Sequence, residues 1–189
     1  MSGYGHVQTG RGPVFTQRQG GALAALALVV LAGAMASLVP AFVVLEVREW
    51  RRGRLLYLAP VRPQSRFEVT FVHSVERTPV REVFTVGPDL DIYLVETVYE
   101  SFGAGLPTTA EEGARFVLEG GTMRITGLHR RIGQLVLSVS PVPGHVLRVA
   151  NRAVTLADLA DPGTALGIKV VRVPAAAFFF RGRCWWMRR

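Results

Sequence analysis

From residue 41 onward, short apolar runs alternate with polar residues and are separated by turn residues. RFEVTFVH (66–73) and VREVFTV (80–86) alternate, and DIYLVETVYESF (91–102) is longer and rich in β-branched and aromatic residues. A period of two predicts β-strands, and no long amphipathic helix interrupts the series. We therefore predict an all-β domain over residues 41–174, an antiparallel β-sandwich or a partly open barrel of about ten short strands.

Turn residues set the expected ends of these strands. Gly120-Gly121 lies between two alternating segments and predicts a hairpin, whereas LADLADPG (156–163) predicts one short helical turn. The predicted strands are 42–47, 54–59, 66–73, 80–86, 91–102, 114–119, 122–128, 134–140, 145–150, 153–156 and 167–173.

The N-terminal part has a different pattern. A polar extension (1–20) precedes an apolar segment (21–40) that carries no charge. Its length is close to the roughly 20 residues that cross a hydrocarbon core, which predicts a transmembrane signal anchor. Ala34-Met35-Ala36 also fits the small-residue cleavage site of a signal peptide. Under either interpretation, the residues after about 40 cross a membrane.

The charges that flank this segment conflict with that orientation. Four arginines between residues 48 and 54 outnumber the two that precede the segment, and the positive-inside rule would keep the C-terminal part in the cytoplasm. Pro40 is expected to end the helix, and AFVVLEV then predicts a first strand, so we assign these arginines to the folded domain. We predict a bacterial cell-membrane protein whose β domain faces the periplasm.

The C-terminal tail (175–189) combines aromatic rings with arginine. Its last 12 residues contain three Phe, two Trp and four Arg, a composition that suits contact with a membrane interface. A disordered tail, or one packed against the domain, is the alternative.

Composition excludes several classes of site. The net charge is +8, and Lys169 is the only lysine, so arginine provides nearly all of the positive charge. The arginines are scattered and no nucleic-acid-binding motif is present, so we predict no nucleic-acid partner. The single cysteine, Cys184, excludes an internal disulfide and a multi-cysteine zinc site. We predict no cofactor.

Residues 66–86 predict a β-hairpin with a histidine and a carboxylate on its buried face. A register that brings apolar residues together on one face also places His73 opposite Glu82, with Glu76–Pro79 as the loop. The predicted pairs are Val69–Val86, Phe71–Phe84 and His73–Glu82.

The predicted His73–Glu82 pair allows three interpretations. A carboxylate can orient an imidazole that acts as a general base, or both can bind a metal ion if Glu76 joins them. A hydrogen bond that only stabilises the hairpin is the third. Ser74 points to the opposite strand face, and no nucleophile motif is present, so we predict no enzymatic activity.

A second candidate is ESFGAGLP (100–107). Gly103 and Gly105 after a strand predict a tight turn or a close backbone approach. Pro107 stands where a dinucleotide site would begin a helix, so phosphate binding is disfavoured. Glu96 and Glu100 are predicted on the same face as Leu94 and Val98, either lining a cleft or protecting a sheet edge.

These motifs together resemble the domain of unknown function 1850 family, over about residues 42–173 and most strongly over 66–107. The matching residues are Phe67, His73, Ser74, Val75, Glu76, Pro79, Val80, Glu82, Phe84, Gly103, Gly105, Leu106 and Pro107. The resemblance implies a small protein with an N-terminal signal or anchor and no assigned activity. It also implies an association with tripartite ATP-independent periplasmic transporters of the TAXI class.

We therefore expect an accessory domain that acts by protein interaction, with a transporter permease or solute receptor as partner and a membrane contact through the N-terminal helix and the tail. The alternative is a small-ligand or metal-binding module that uses the His73/Glu82 hairpin; a hydrolytic enzyme ranks third. The candidate binding residues are His73, Ser74, Glu76, Glu82, Glu100, Gly103, Gly105 and Pro107.

Overall fold

The structure is a computed structural model that describes residues 17–100 and 113–179, with side chains from residue 23 onward. The chain divides into two compact units, Met1–Val39 and Pro40–Arg189. Among the residues that the structure describes, the first unit contains one helix and the second contains the strands. The predicted Gly103, Gly105 and Pro107 lie outside the described residues.

Helix α1 runs from Gln17 to Leu38. It ends before Val39 because a residue that precedes proline is disfavoured in the helical region, and Pro40 begins the first strand. Most of its described side chains are apolar and exposed, including Leu28 and Val29. In the described part of the chain, no helix combines the length and apolar composition that a membrane span requires.

Every predicted strand segment forms a strand, and residues 156–158 form a short 3₁₀ turn. The strands are β1 (Pro40–Glu49), β2 (Leu55–Pro60), β3 (Arg66–Val72), β4 (Pro79–Val86), β5 (Ile92–Tyr99), β6 (Arg115–Glu119), β7 (Thr122–Arg131), β8 (Leu135–Ser138), β9 (Val146–Val149), β10 (Arg152–Thr155) and β11 (Ala165–Pro174).

The strands form two antiparallel sheets. One has four strands in the order β2-β1-β11-β8, and the other has seven in the order β10-β9-β3-β4-β5-β7-β6. Five of the ten pairs of consecutive strands are neighbours in a sheet, an arrangement that short connections favour. The predicted all-β, sandwich-like fold is confirmed.

The core lies between the inner faces of the two sheets. Leu45 and Ile168 from the four-stranded sheet belong to the same buried cluster as Phe84, Ile92 and Ile125 from the seven-stranded sheet. Each of these side chains is at most 1% exposed. Full burial of such a side chain contributes about 1.5–3 kcal/mol, so this shared core holds the two sheets together.

A smaller apolar cluster covers the outer face of the four-stranded sheet. Val44, Leu58 and Val173 are buried there, and residues 175–179, which are helical, cover them. The ring of Phe178 stacks on that of Phe42 with 4.6 Å between centroids. The first part of the predicted tail is therefore packed against the domain.

The β3–β4 hairpin exists, but its predicted register is wrong. Phe67 pairs with Phe84 and Val69 pairs with Glu82, so His73 does not face Glu82. The two registers differ by an even number of residues and bury the same strand faces, so burial cannot distinguish them. The turn decides, because Arg77 adopts a positive φ of 54° and its N–H donates to the His73 carbonyl oxygen. The loop is thereby placed two residues earlier in the chain than predicted.

A bulge in β5 corrects a second prediction. Val83 pairs with Glu96 and Phe84 pairs with Leu94, so Val95 is an extra residue in the strand. An extra residue reverses the alternation of the side chains that follow. Glu96 therefore lies on the face opposite to that of Leu94, on the outside of the sheet.

Candidate functional site

His73 organises the turn between β3 and β4. Its backbone N–H donates to the Thr78 carbonyl oxygen at 2.9 Å, and its own carbonyl accepts from the Arg77 N–H at 2.8 Å. Its ring Nδ1 accepts from the Glu76 N–H at 3.2 Å. The imidazole is half-buried, and these contacts fit a residue that stabilises a turn.

The other predicted loop residues do not join His73 in a metal site. Ser74 and Glu76 are exposed, and Glu82 pairs with Val69, four residues before His73 on β3. Among the residues that the structure describes, no three His, Cys, Asp or Glu side chains are grouped to hold a metal ion. Glu100 is exposed just beyond β5.

Glu82 lies on the inner face of the seven-stranded sheet. Its partners across the ladder are Val69 and Thr97, which are 1% and 2% exposed. Burial raises the pKa of its carboxyl group, and the positive charge of Arg130 opposes this in part. This environment favours the protonated, hydrogen-bond-donating form of the side chain.

Five charged residues cross the outer face of the same sheet, one from each of five adjacent strands. We call this set the charge row: Arg148 (β9), Glu68 (β3), Arg81 (β4), Glu96 (β5) and Arg124 (β7). The signs alternate along the row, so each carboxylate lies between two guanidinium groups. The β5 bulge makes this possible, because it turns Glu96 outward.

The contacts within the charge row are short. Arg81 bridges both carboxylates, with Nη1 3.3 Å from Glu68 Oε2 and Nη2 2.9 Å from Glu96 Oε1. Arg124 Nη1 lies 3.1 Å from Glu96 Oε1, and Arg148 Nη1 lies 2.6 Å from Glu68 Oε1. Charge-assisted contacts of this kind hold the carboxylates in place.

The carboxylates of the charge row are less exposed than its guanidinium groups. The side chains of Glu68 and Glu96 are 17% exposed, whereas that of Arg124 is 48% and that of Arg148 is 59% exposed. The surface that a partner would meet is therefore mainly guanidinium.

The charge row lines a shallow depression of about 470 Å³. Phe67 and Val83 form part of its apolar lining, and Arg66 adds a fourth arginine. Four arginines against two glutamates give the lining a formal charge of +2. Arginine binds carboxylates and phosphates through paired N–H donors, so the depression suits an anionic group.

Sequence reasoning missed this surface. Glu68, Arg124 and Arg148 each lie at an outward position between inward apolar neighbours, which is the normal pattern of a solvated strand face. Finding this surface from the sequence would have required the strand order. Arg148 and Arg124 are distant in sequence from Glu68 and Glu96, the glutamates that they contact.

Comparison with known proteins supports the family suggested by the sequence. Neither the curated proteins nor the solved structures gave a match to this chain. The family model described as "Domain of unknown function (DUF1850)" matches residues 67–156, which include Glu68, Arg81, Glu82 and Glu96. Over residues 67–156, the chain thus matches the family that its hairpin motif suggested.

Proposed function

We propose that this chain is an exported or membrane-anchored accessory domain that works by binding a protein partner. The partner class is a permease or solute receptor of a tripartite ATP-independent periplasmic, TAXI-type uptake system, as the family resemblance implies. The binding surface is the depression lined by the charge row, and it takes an acidic segment of the partner.

The observation that carries this proposal is the excess of exposed guanidinium groups over half-buried carboxylates. Each guanidinium has five N–H donors, and Arg124 and Arg148 each use Nη1 for their glutamate within the row. Their remaining donors are available to a partner's carboxylates. Glu68 and Glu96 fix the guanidinium planes in advance, which lowers the entropic cost of binding.

Charge complementarity of this kind acts mainly on specificity and on the rate of association. Phe67 and Val83 add little accessible apolar surface to the lining, because they are only 3% and 8% exposed. An acidic strand or loop therefore fits the depression through its charge.

The test is capture of purified permease and solute receptor by the tagged full-length chain in mild detergent. Arg124→Gln with Arg148→Gln removes two positive charges from the depression. The matched control, Arg51→Gln with Arg172→Gln, removes two exposed charges from the β1–β2 turn and the four-stranded sheet. We expect the first pair to abolish capture and the control pair to retain it.

Two results would contradict the proposal. Capture that survives loss of Arg124 and Arg148 would exclude the depression as the binding surface. Equal loss with the control pair would show that capture depends on net charge alone. Thermal melts of both double variants show whether each remains folded.

The second candidate is a small-ligand module, and the inward carboxyl of Glu82 favours it. Burial raises the pKa of this carboxyl group, and the protonated form of a carboxyl donates a hydrogen bond to a carbonyl or carboxylate group of a ligand. Thermal-shift screening of small carboxylates against the wild type and Glu82→Ala tests this. A ligand that raises the melting temperature equally in both would exclude Glu82 from the site.

A further inference from the structure

Strand β6 ends the seven-stranded sheet, and among the described strands it pairs with β7 alone. Proteins usually protect such an edge with proline, lysine, a bulge or a very short strand. β6 contains neither proline nor lysine, and its pairing with β7 has no register shift. At the other ends of the two sheets, β8 and β10 have four residues each and β2 ends at Pro60. The edge of β6 is therefore the one with the least protection against strand pairing.

The middle of β6 is apolar and exposed. Val117 is 43% exposed and Leu118 is 63% exposed. Val117 lies opposite Arg124 on the outer face of the sheet, whereas Leu118 lies opposite Met123, which is buried on the inner face. Both faces of the sheet therefore present apolar surface at this edge, and a further strand along β6 would cover it.

The backbone of Leu118 points away from β7. The Gly120–Gly121 turn has a positive φ at both residues, and Glu119 and Thr122, which flank this two-residue turn, form a hydrogen-bonded pair. Hydrogen-bonded and non-hydrogen-bonded pairs alternate along the ladder, so Val117 bonds to β7 and Leu118 does not. The N–H and C=O groups of Leu118 therefore face the edge, where an added strand would bond to them.

The sequence of β6 is complementary to itself in the antiparallel direction. It reads RFVLE, with a positive residue at one end, a negative residue at the other and three apolar residues between them. In an antiparallel pair of two copies centred on Val117, Arg115 faces Glu119 of the second copy, and two-fold symmetry repeats the contact. Both side chains are exposed, and neither belongs to an ion pair within the described part of the chain. Opposite charges directly across two strands stabilise the pairing, and like charges destabilise it.

We propose that β6 pairs with β6 of a second copy of this chain, antiparallel and centred on Val117, so that two seven-stranded sheets join into one. The interface uses the same strand of both copies, as two-fold homodimers do. Because two five-residue strands bury less than the roughly 1,600 Å² of a standard interface, the pairing is weak in dilute solution and forms where the chains are concentrated.

The pairing also brings two depressions onto one surface. Val117 lies beside Arg124 on the outer face, so Arg124, Val117 and their two counterparts form one line across the joined sheet. Neighbouring strands lie about 4.8 Å apart, which places the two Arg124 Cα atoms about 14 Å apart. A partner with two acidic segments can then bind both depressions at once. Only this consequence rests on the proposed function, since the pairing itself needs no partner.

Charge reversal tests the pairing and its register. Arg115→Glu gives β6 two negative ends and Glu119→Arg gives it two positive ends, so each variant alone should associate about tenfold more weakly than the wild type. An equimolar mixture restores both opposite pairs in a heterodimer, and the double variant restores them in a homodimer. Sedimentation velocity of the full chain in density-matched mild detergent, over a range of concentrations, measures the association. Arg51→Glu is the matched control, because Arg51 is exposed in the β1–β2 turn, and it should associate as the wild type does.

A cross-link tests the centre of the pairing. In a Cys184→Ser background, Val117→Cys places two thiols on the two-fold axis in a non-hydrogen-bonded pair, whose Cα atoms are about 4.5 Å apart, within the range of a disulfide. Mild oxidation should give a covalent dimer. Leu118→Cys is the control, because Leu118 is more exposed than Val117 but does not face itself in this register. We expect little dimer from it.

Three outcomes would overturn the proposal. A wild-type chain that stays monomeric at every concentration would exclude the dimer, and single reversals that associate like the wild type would exclude β6 as its contact. Weak association of both the mixture and the double variant would exclude the register. Thermal melts of each variant in dilute solution show that it is folded. Partner capture through Arg124 and Arg148 is a separate measurement, so failure of either proposal leaves the other readout intact.

Discussion

The backbone N–H of His73 donates to the carbonyl oxygen of Thr78 at 2.9 Å, and this contact closes the β3–β4 hairpin. It places Glu82 opposite Val69 instead of opposite the histidine. The imidazole of His73 and the carboxylate of Glu82, which the sequence predicts to be a pair, therefore have separate roles. His73 stabilises a turn, and Glu82 is a half-buried carboxyl on the core face.

The first prediction concerns this register. Thr70 and Arg81 are directly opposite each other on the outer face. Hydrogen-bonded and non-hydrogen-bonded pairs alternate along an antiparallel ladder, and His73 with Thr78 is a hydrogen-bonded pair. Thr70 and Arg81, three residues further along, are therefore a non-hydrogen-bonded pair, the kind with the shorter Cα–Cα distance. Cysteines at Thr70 and Arg81, in a Cys184→Ser background, should form a disulfide on mild oxidation. Non-reducing mass spectrometry after proteolysis would detect the cross-linked peptide.

The control for the register is a pair that the alternative alignment would bring together. In that alignment Thr70 would face Thr85, so cysteines at Thr70 and Thr85 serve as the matched variant. We expect no disulfide between them. Cross-linking of this pair with none at Thr70 and Arg81 would contradict the structure.

The second prediction is a pH dependence of stability that comes from Glu82. Burial raises the pKa of this carboxyl group above its value of 4.5 in the unfolded chain. The unfolded state therefore loses this proton first as the pH rises, and stability falls between the unfolded and the folded pKa. Glu82→Gln mimics the protonated form, so it should melt higher than the wild type at neutral pH and nearly equally below pH about 4.

The control for Glu82 is Glu119→Gln, because Glu119 is exposed on β6. Thermal melts of both variants across the pH range should show a difference that grows with pH only for Glu82→Gln. A Glu82→Gln protein that is less stable than the wild type at neutral pH would show that the ionised carboxylate is stabilising.

The third prediction concerns the centre of the charge row. Arg81 contacts both Glu68 and Glu96, so Arg81→Met leaves each glutamate with one arginine. Pairs of this exposure are worth up to about 1 kcal/mol each, and we expect a total loss of about 1–2 kcal/mol in the free energy of unfolding. Urea unfolding at low and high salt would measure it, and salt should reduce the loss.

A double-mutant cycle of Arg81→Met with Glu96→Gln separates the pair from its surroundings. We expect a coupling of about 0.5–1 kcal/mol. A coupling of zero at low salt would show that the row is not held together by these contacts, and it would remove the argument that the arginines are fixed in advance.

The fourth prediction concerns Gly167 on β11. A Cβ at this position would lie 2.5 Å from Gln134 Nε2 and 3.0 Å from Trp50 Cε3. Both contacts are with side-chain atoms, which can move aside. Gly167→Ala should therefore lower the free energy of unfolding by about 1 kcal/mol, at the low end of overpacking effects. Trp50→Ala in the same chain should relieve part of this cost. A stabilising Gly167→Ala would contradict the close packing of the indole.

The local pattern of the sequence determined the elements of this protein. A period of two, interrupted by Gly, Pro and Asp, identifies strands because each strand must bury one face and expose the other. The predicted segments therefore agree with the strands to within a few residues, and the all-β class follows from them. The family resemblance has the same local origin, since its motif lies in one hairpin and the next strand.

Only the tertiary structure decided how these elements meet. Two hairpin registers bury the same residues, and the turn at Arg77 selects one of them. One extra residue, Val95, turns Glu96 outward, and a local pattern gives no sign of it. The charge row depends on the strand order β9-β3-β4-β5-β7, in which Arg148 lies beside Glu68. Pairing between distant strands is set by the burial of the whole core, which the alternation along any single strand does not specify.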